Sequence, residues 1–242
     1  RTGSLNGVFH SAGVEMIRPV RMIKQAQLDE VLGCGFFSAF GIARALSGKR
    51  ALVDGASMVF MSSVAGSVGQ AGMSGYSAAK AGGEELAIAF QNTYELPIAI
   101  THCMNVYGER QHPEKYIPNT LWKLKNNKKI TIHANKDRSK PGSRHYLYSE
   151  DVASSVLFIT QNFDKLKSSQ HSNNEIGPKC LKVNIPGTKE LDNLEVAKLI
   201  SEYSGFELLQ NEFIKKDFLK KNTEIIFYNK ILYEETFLHF YS

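Results

Sequence analysis

The stretch Ser57-Met-Val-Phe-Met-Ser-Ser63, followed thirteen residues after Ser63 by Tyr76-Ser-Ala-Ala-Lys80-Ala-Gly-Gly83, decides the fold. An apolar run between serines has the length of a buried strand. The small residues around Lys80 read as a helix, and i, i+4 spacing puts Tyr76 and Lys80 on one face of it. A phenol with an ordinary pKa near ~10 is a poor acid or base at neutral pH. An ammonium one turn away favours the phenolate, so Lys80 is expected to pull the pKa of Tyr76 down. Ser63 leaves the strand where it can hold a substrate oxygen beside the tyrosine.

Working outward, Leu5-Asn-Gly-Val-Phe-His-Ser-Ala-Gly13 reads as a buried strand running into a small-residue turn, and Gly13 lets the backbone approach a ligand closely. Residues 27–46 carry Leu28, Val31, Leu32, Phe36, Phe40 and Ala43 close to a helical period. Pro97-Ile-Ala-Ile-Thr-His-Cys-Met104 is another buried parallel strand. This alternation predicts an α/β fold with an open, doubly wound parallel sheet and helices on both faces. Ligands on such sheets bind beyond the carboxyl ends of the strands, where these candidate residues fall.

At 242 residues and 43% hydrophobic, the chain can bury a substantial core. No stretch is long and apolar enough to cross a membrane, and no signal peptide is visible. Cys34, Cys103 and Cys180 are far apart and odd in number, which suggests neither a disulfide framework nor a zinc site. No metal and a reducing cytoplasm are the expectation. The net charge of +5 gathers in the second half, at Lys123, Lys125, Lys128 and Lys129 and again at Lys215, Lys216, Lys220 and Lys221. No nucleic-acid motif accompanies it. It is read as a solvated face, with a diphosphate-bearing substrate as the alternative, and neither nucleic acid nor membrane is expected as a partner.

Residues 5–82 resemble the short-chain dehydrogenase/reductase superfamily, which binds NAD or NADP on a Rossmann fold. The resemblance implies hydride-transfer chemistry with Tyr76 as general acid/base, Lys80 tuning it and holding the nicotinamide ribose, and Ser63 orienting the substrate oxygen. It further implies that Ser11, Ala12, Gly13 and Ser62 join Tyr76 and Lys80 in contacting the cofactor. His10, Ser11, Ala12 and Gly13 stand where the superfamily has Asn-Asn-Ala-Gly, and Leu32 stands where related enzymes place a network asparagine.

From about residue 81 onward the chain resembles the extended branch, the nucleotide-sugar epimerases and 4,6-dehydratases. The segments, in family order, are Asn105-Val-Tyr-Gly-Glu-Arg-Gln-His-Pro-Glu-Lys-Tyr-Ile-Pro118, Lys129-Ile-Thr-Ile-His-Ala134, Ser143-Arg-His-Tyr-Leu-Tyr-Ser-Glu-Asp-Val152 and Lys182-Val-Asn-Ile-Pro-Gly187. The resemblance implies that Asn105 and Arg144 grip a sugar-nucleotide diphosphate. Chemistry agrees, because a guanidinium fork suits a phosphate pair and an amide can donate to the same group. Asp151 suits a helix start, and Asp192 with Glu195 forms a capping-box pair.

Three departures stand out. The initial strand, glycine-rich turn and helix of a Rossmann fold are not recognisable, so the chain is expected to be N-terminally incomplete; Gly66-Ser-Val-Gly69-Gln-Ala-Gly72 reads as an active-site loop. Val64-Ala65-Gly66 occupies the place where 4,6-dehydratases carry an acid pair, so elimination has no obvious acid and base. The upstream part resembles compact ketoreductases and the downstream part extended enzymes, as in a hybrid or damaged gene product, and the tail rich in Lys, Phe and Tyr over residues 206–242 fits that reading.

The expected organisation is a partial Rossmann domain over residues 1–112 and a smaller C-terminal substrate-binding region over 113–242, with 143–165 returning to the Rossmann core. The expected function is an NAD(P)-dependent oxidoreductase/epimerase or 4,6-dehydratase of a nucleotide sugar, acting as a homodimer. The alternatives are a carbonyl reductase of a non-nucleotide substrate and a non-catalytic Rossmann remnant.

Overall fold

The computed structural model describes residues 3–48, 51–135, 139–171 and 180–206. The expectations placed on the tail from residue 207 onward, including Lys215, Lys216, Lys220 and Lys221, lie outside the described residues. In chain order come β1 (Leu5–His10), α1 (Gln25–Leu32), α2 (Ser38–Leu46), β2 (Leu52–Ser62), α3 (Val64–Ser67) and α4 (Ser74–Tyr94). Next are β3 (Ile98–Cys103), β4 (Asn105–Tyr107), α5 (Tyr116–Lys125), β5 (Ser143–Tyr148) and α6 (Ser149–Gln161). The series ends with α7 (Phe163–His171), β6 (Leu181–Ile185), β7 (Glu190–Asp192) and α8 (Asn193–Ser204). The described residues divide into two compact units, one from residues 3–103 with 152–185 and one from residues 104–151 with 186–206.

The first unit is built on a sheet of order β1-β2-β3-β6 in which every neighbouring pair runs parallel. All residues at 56–60 of β2 and 98–102 of β3 are buried, as both faces of a parallel sheet require. Alternation along β2 serves the two faces separately. Met58 packs with Ala39 and Ala43 of α2 and Ala87 and Ile88 of α4, whereas the hydroxyl of Ser57 donates to the Thr160 carbonyl of α6 at 3.2 Å. Helices therefore cover both faces, giving the α/β class that the strand–helix alternation predicts.

Two local expectations need correcting. Among the described residues β1 is an edge strand with a single neighbour, so Leu5 and Phe9 each remain 43% exposed and only His10 of the strand is buried. The helix over residues 27–46 is interrupted by a π-helical turn at Gly33–Phe37, and its buried face carries Val31, Gly35, Ala39, Ala43 and Leu46. Phe40 is turned away from that core and is 39% exposed. A π turn rotates the face that follows it, and the small residues win the inner side because α4 approaches closely: a Cβ on Gly35 would lie 3.1 Å from that of Ala79.

In the second unit β4 pairs parallel with β5, and β5 antiparallel with β7. Tyr146, Leu191, Val196 and Leu199 form its core. Asp192 caps α8 by accepting from the amides of Leu194 and Glu195, both at 2.8 Å, and Glu195 reaches back to the Asp192 amide at 3.0 Å. This is the reciprocal cap that the sequence predicts. Asp151 lies in the first turn of α6, where a carboxylate complements the helix dipole.

Candidate active site

The site in the first unit is organised by one stripe of α4. Tyr76, Lys80 and Glu84 follow at i, i+4 and i+8, and this face meets the carboxyl end of β2. Three consecutive residues there are engaged. Lys80 Nζ donates to the Met61 carbonyl at 2.9 Å, Ser62 Oγ donates to Glu84 Oε1 at 2.6 Å, and the hydroxyl of Ser63 lies near enough to the Tyr76 phenol to weigh on its pKa. Ser63 leaves the strand as the N-cap of α3, where its hydroxyl oxygen accepts from the Ala65 amide at 3.2 Å. Serine is suited to that position because its oxygen satisfies an otherwise unpaired helix amide.

Lys80 is buried, with 7% of its surface exposed. Its ammonium lies 5.8 Å from the centroid of the Tyr76 ring and against the backbone of Gly13, where a Cβ would come within 3.1 Å of Nζ and 3.4 Å of Cε. The turn after β1 is thus a cradle that a side chain would fill. Ser11 and Ala12, both exposed, precede it. An ammonium carries three donors and the Met61 carbonyl takes one of them, so the cradle suits a ligand with hydroxyl oxygens, as a dinucleotide ribose has.

The electrostatics differ from the sequence expectation in one respect. The pKa of Tyr76 is raised, not lowered: burial favours the neutral phenol, the Ser63 hydrogen bond opposes this more weakly, and the negative charge of Glu15 adds to the rise. Lys80 does not reverse the balance because burial also lowers its own pKa, with a weaker contribution from Cys103 in the opposite sense. Burial thus disfavours the charged form of each group, the phenolate of Tyr76 and the ammonium of Lys80.

Ser62, expected to contact the cofactor, is buried with its hydroxyl committed to Glu84. Glu84 also accepts from His102 Nε2 at 2.8 Å and from Lys182 Nζ at 3.1 Å. Burial acts to raise its pKa, but the hydrogen bonds from His102, Ser62 and Lys182 hold it down at about 2. Sequence reasoning missed this cluster. The signal was present in the i+8 position of Glu84, on the same stripe as Tyr76. Also missed was the partner of His10, whose Nε2 is 2.7 Å from Ser38 Oγ. Since that hydroxyl donates to the Cys34 carbonyl in the π turn, His10 Nε2 carries the proton.

Asn105 and Arg144 belong to the second unit, on adjacent strands. Asn105 is opposite Tyr146, two residues beyond Arg144, and both side chains are exposed. Asn105 Nδ2 donates to the His145 carbonyl at 3.4 Å, and an Arg144 nitrogen donates to the Ser143 carbonyl at 3.2 Å. Among the described residues no group of His, Cys, Asp or Glu has the arrangement of a metal site, and no helix is long and apolar enough to cross a membrane.

Comparison with known proteins gives a consistent result. The profile of the NAD dependent epimerase/dehydratase family matches residues 53–174, half of the chain, and that of the short chain dehydrogenase family matches residues 1–104. The dTDP-D-glucose 4,6-dehydratase of Dictyostelium discoideum is 38% identical over 129 residues, which are 53% of this chain and 26% of that protein. The low-salt glycan biosynthesis protein Agl12 of Haloferax volcanii is 32% identical over 140 residues, 58% of this chain and 39% of that protein. The chain thus spans well under two thirds of these relatives. Among solved structures, UDP-glucuronic acid 4-epimerase from Bacillus cereus in complex with UDP-glucuronic acid and NAD superposes with a TM-score of 0.62 at 17% identity, covering 86% of this chain and 62% of that one. That likeness establishes the Rossmann-like fold.

Proposed function

The chain belongs to the NAD dependent epimerase/dehydratase family, and from that premise we propose that it is an NAD-dependent enzyme acting on a nucleotide sugar. The observation that carries this reading is the convergence of Ser63, Tyr76 and Lys80 beyond the carboxyl end of β2, with Gly13 leaving room beside the lysine ammonium. The relatives add weight, since those in Dictyostelium and Bacillus are named for dTDP-glucose and UDP-glucuronic acid.

NAD, when bound, supplies reversible two-electron oxidation of the sugar. Gly13 and Lys80 would hold it, with Ser11 and Ala12 lining the turn. Tyr76 exchanges a proton with a sugar hydroxyl, and Ser63 fixes that oxygen beside the phenol. Proton transfer of this kind contributes roughly 10²–10⁴-fold to rate. In the second unit Asn105 and Arg144 would grip the diphosphate through neutral and charge-assisted hydrogen bonds. No carboxylate lies on α3 immediately after Ser63, which supports epimerisation over elimination. The division of labour, a dinucleotide-binding unit and a substrate-gripping unit, is part of the same proposal.

Incubation of the chain with NAD and UDP-glucose, UDP-glucuronic acid or dTDP-glucose, followed by NMR of the sugars, tests the reading. An epimer or a 4-keto-6-deoxy product supports it. If NADH does not bind and none of the three sugars is altered, the proposal fails and a non-catalytic role takes its place. The match of residues 1–104 to short chain dehydrogenases favours a second reading, reduction of a non-nucleotide ketone; NADH oxidation with simple ketones but no thermal stabilisation by sugar nucleotides would select it.

A homodimer completes the proposal. Phe37, Phe40 and Tyr94 are 60%, 39% and 54% exposed, and Phe40, Phe90 and Tyr94 form a ladder with ring centroids 5.8 and 5.5 Å apart. Such an aromatic face suits a second copy of the chain. Sedimentation velocity should give a dimer for the unaltered chain and a monomer for Phe37→Ser with Phe40→Ser; a monomeric unaltered chain excludes this part. The work is placed in the cytoplasm, in keeping with three free cysteines.

A further inference from the structure

We infer that Glu84 is a positioning residue: by holding Ser62, His102 and Lys182 together it locks the strand end that presents Ser63 in register with the helix that presents Tyr76 and Lys80. The inference rests on the catalytic reading of those three residues but concerns a side chain that touches neither substrate nor cofactor in that reading.

The geometry is a three-strand clasp. Ser62 ends β2, His102 lies opposite it in β3, and Lys182 is the second residue of the neighbouring β6, opposite Ile100. One carboxylate from α4 receives a donor from each of the three. Glu84 is 6% exposed, and Ser62 and His102 are each 8% exposed, so water does not compete freely for the bonds from Ser62 and His102, whereas the side chain of Lys182 is 36% exposed. Close packing around the clasp leaves little slack. A Cβ on Gly66 would lie 3.1 Å from Lys80 Cβ, 3.1 Å from the Ala81 amide and 3.2 Å from Glu84 Oε1.

Position along the chain explains why this matters for the chemistry. Lys80 and Glu84 hold Met61 and Ser62, the last two residues of β2, and Tyr76 lies beside Ser63, the residue that follows them. Ser63 has no bulk with which to locate itself, and its hydroxyl is directed by the Ala65 amide it caps and by how well the backbone at 62 and 63 is held. Glu84 fixes the residue immediately before it. The burial of a carboxylate that no reaction step uses is otherwise difficult to explain, because an apolar residue of similar size would fill the space without a desolvation penalty.

The test uses Glu84→Gln and, separately, Ser62→Ala, which removes one donor and leaves His102 and Lys182 in place. The Tyr76 phenol is titrated by absorbance at 295 nm, with the Tyr76→Phe chain subtracted. Loss of positioning weakens the Ser63 hydrogen bond, so the Tyr76 midpoint should rise by about half a pH unit or more in both variants, while circular dichroism shows the native helix content. With NAD and whichever of UDP-glucose, UDP-glucuronic acid or dTDP-glucose is turned over, kcat should fall about tenfold or more while KM changes by less than about threefold. Folded variants with an unchanged Tyr76 midpoint and unchanged kcat overturn the inference. If no sugar nucleotide is turned over by the unaltered chain, the catalytic reading fails by itself, and the phenol midpoint alone then decides the role of Glu84.

Discussion

The ammonium of Lys80 donates to the carbonyl of Met61 at 2.9 Å, two residues before Ser63. The lysine is therefore held by β2 and not by the tyrosine one turn away, whose ring centroid is 5.8 Å distant. A strand carbonyl at the carboxyl end of a parallel sheet is a good acceptor for a cation, and it fixes the depth to which the side chain enters. Gly13 closes the opposite side. The result is a cation with a defined place that leaves Tyr76 free to turn its hydroxyl toward Ser63.

Replacing Tyr76 with Phe removes one oxygen from this arrangement and leaves the packing of the ring against Met16, Val31 and Ala79. Turnover should fall by roughly 10²–10⁴-fold, the usual contribution of a positioned acid/base. NADH affinity, read by its fluorescence, should change by less than about threefold. A variant with turnover near that of the unaltered chain would remove Tyr76 from the reaction.

Gly13 is a second lever because only space, and no unusual backbone angle, is at issue there. Alanine forces the far end of Lys80 to give by a few tenths of an ångström from a 3.1 Å contact, which a flexible side chain tolerates. Valine cannot be absorbed in this way. Gly13→Ala should retain most turnover, whereas Gly13→Val should lose at least about tenfold with the fold intact, since misplacement by about 1 Å can cost about 10²-fold. Equal behaviour of the two variants would show that the turn does not bear on Lys80.

The strands at the centre of the sheet were legible in the sequence, because β2 and β3 are apolar on both faces and can be nothing else in an α/β chain. The capping pair Asp192 and Glu195 and the stripe of Tyr76 and Lys80 were equally legible, being local patterns of helical spacing. What escaped was set by tertiary context. Exposure of β1 depends on which strand lies beside it, the outward turn of Phe40 depends on a π turn, and the raised pKa of Tyr76 depends on burial that no local pattern encodes. The Glu84 partner of Ser62 escaped for the same reason, being twenty-two residues away in sequence.

Glu15 offers a direct check on that electrostatic balance. Its charge adds to the upward shift of Tyr76, after burial and against the Ser63 hydrogen bond. The fold favours the neutral phenol, so this contribution to stability is present below pH 10 and is lost as pH rises through the folded value. Glu15→Gln should lower the Tyr76 midpoint in the subtracted 295 nm titration and move the alkaline limb of any rate profile the same way. An upward or absent shift would show that Glu15 does not act on the phenol.

The buried carboxylate of Glu84 makes a pH-dependent contribution to the stability of the fold on the acid side. Its pKa falls from 4.5 to about 2 because the donors of His102, Ser62 and Lys182 outweigh the opposing effect of burial. A depressed carboxyl pKa stabilises the fold above the unfolded value and loses that contribution as pH falls toward the folded one. A shift of this size corresponds to on the order of 3 kcal/mol at neutral pH. Glu84→Gln abolishes the titration, so urea unfolding should show a chain that is weaker at pH 7 but whose stability declines less steeply between pH 4.5 and pH 2. A parallel acid limb in the two chains would mean that other carboxylates govern acid unfolding and that the Glu84 clasp contributes little to it.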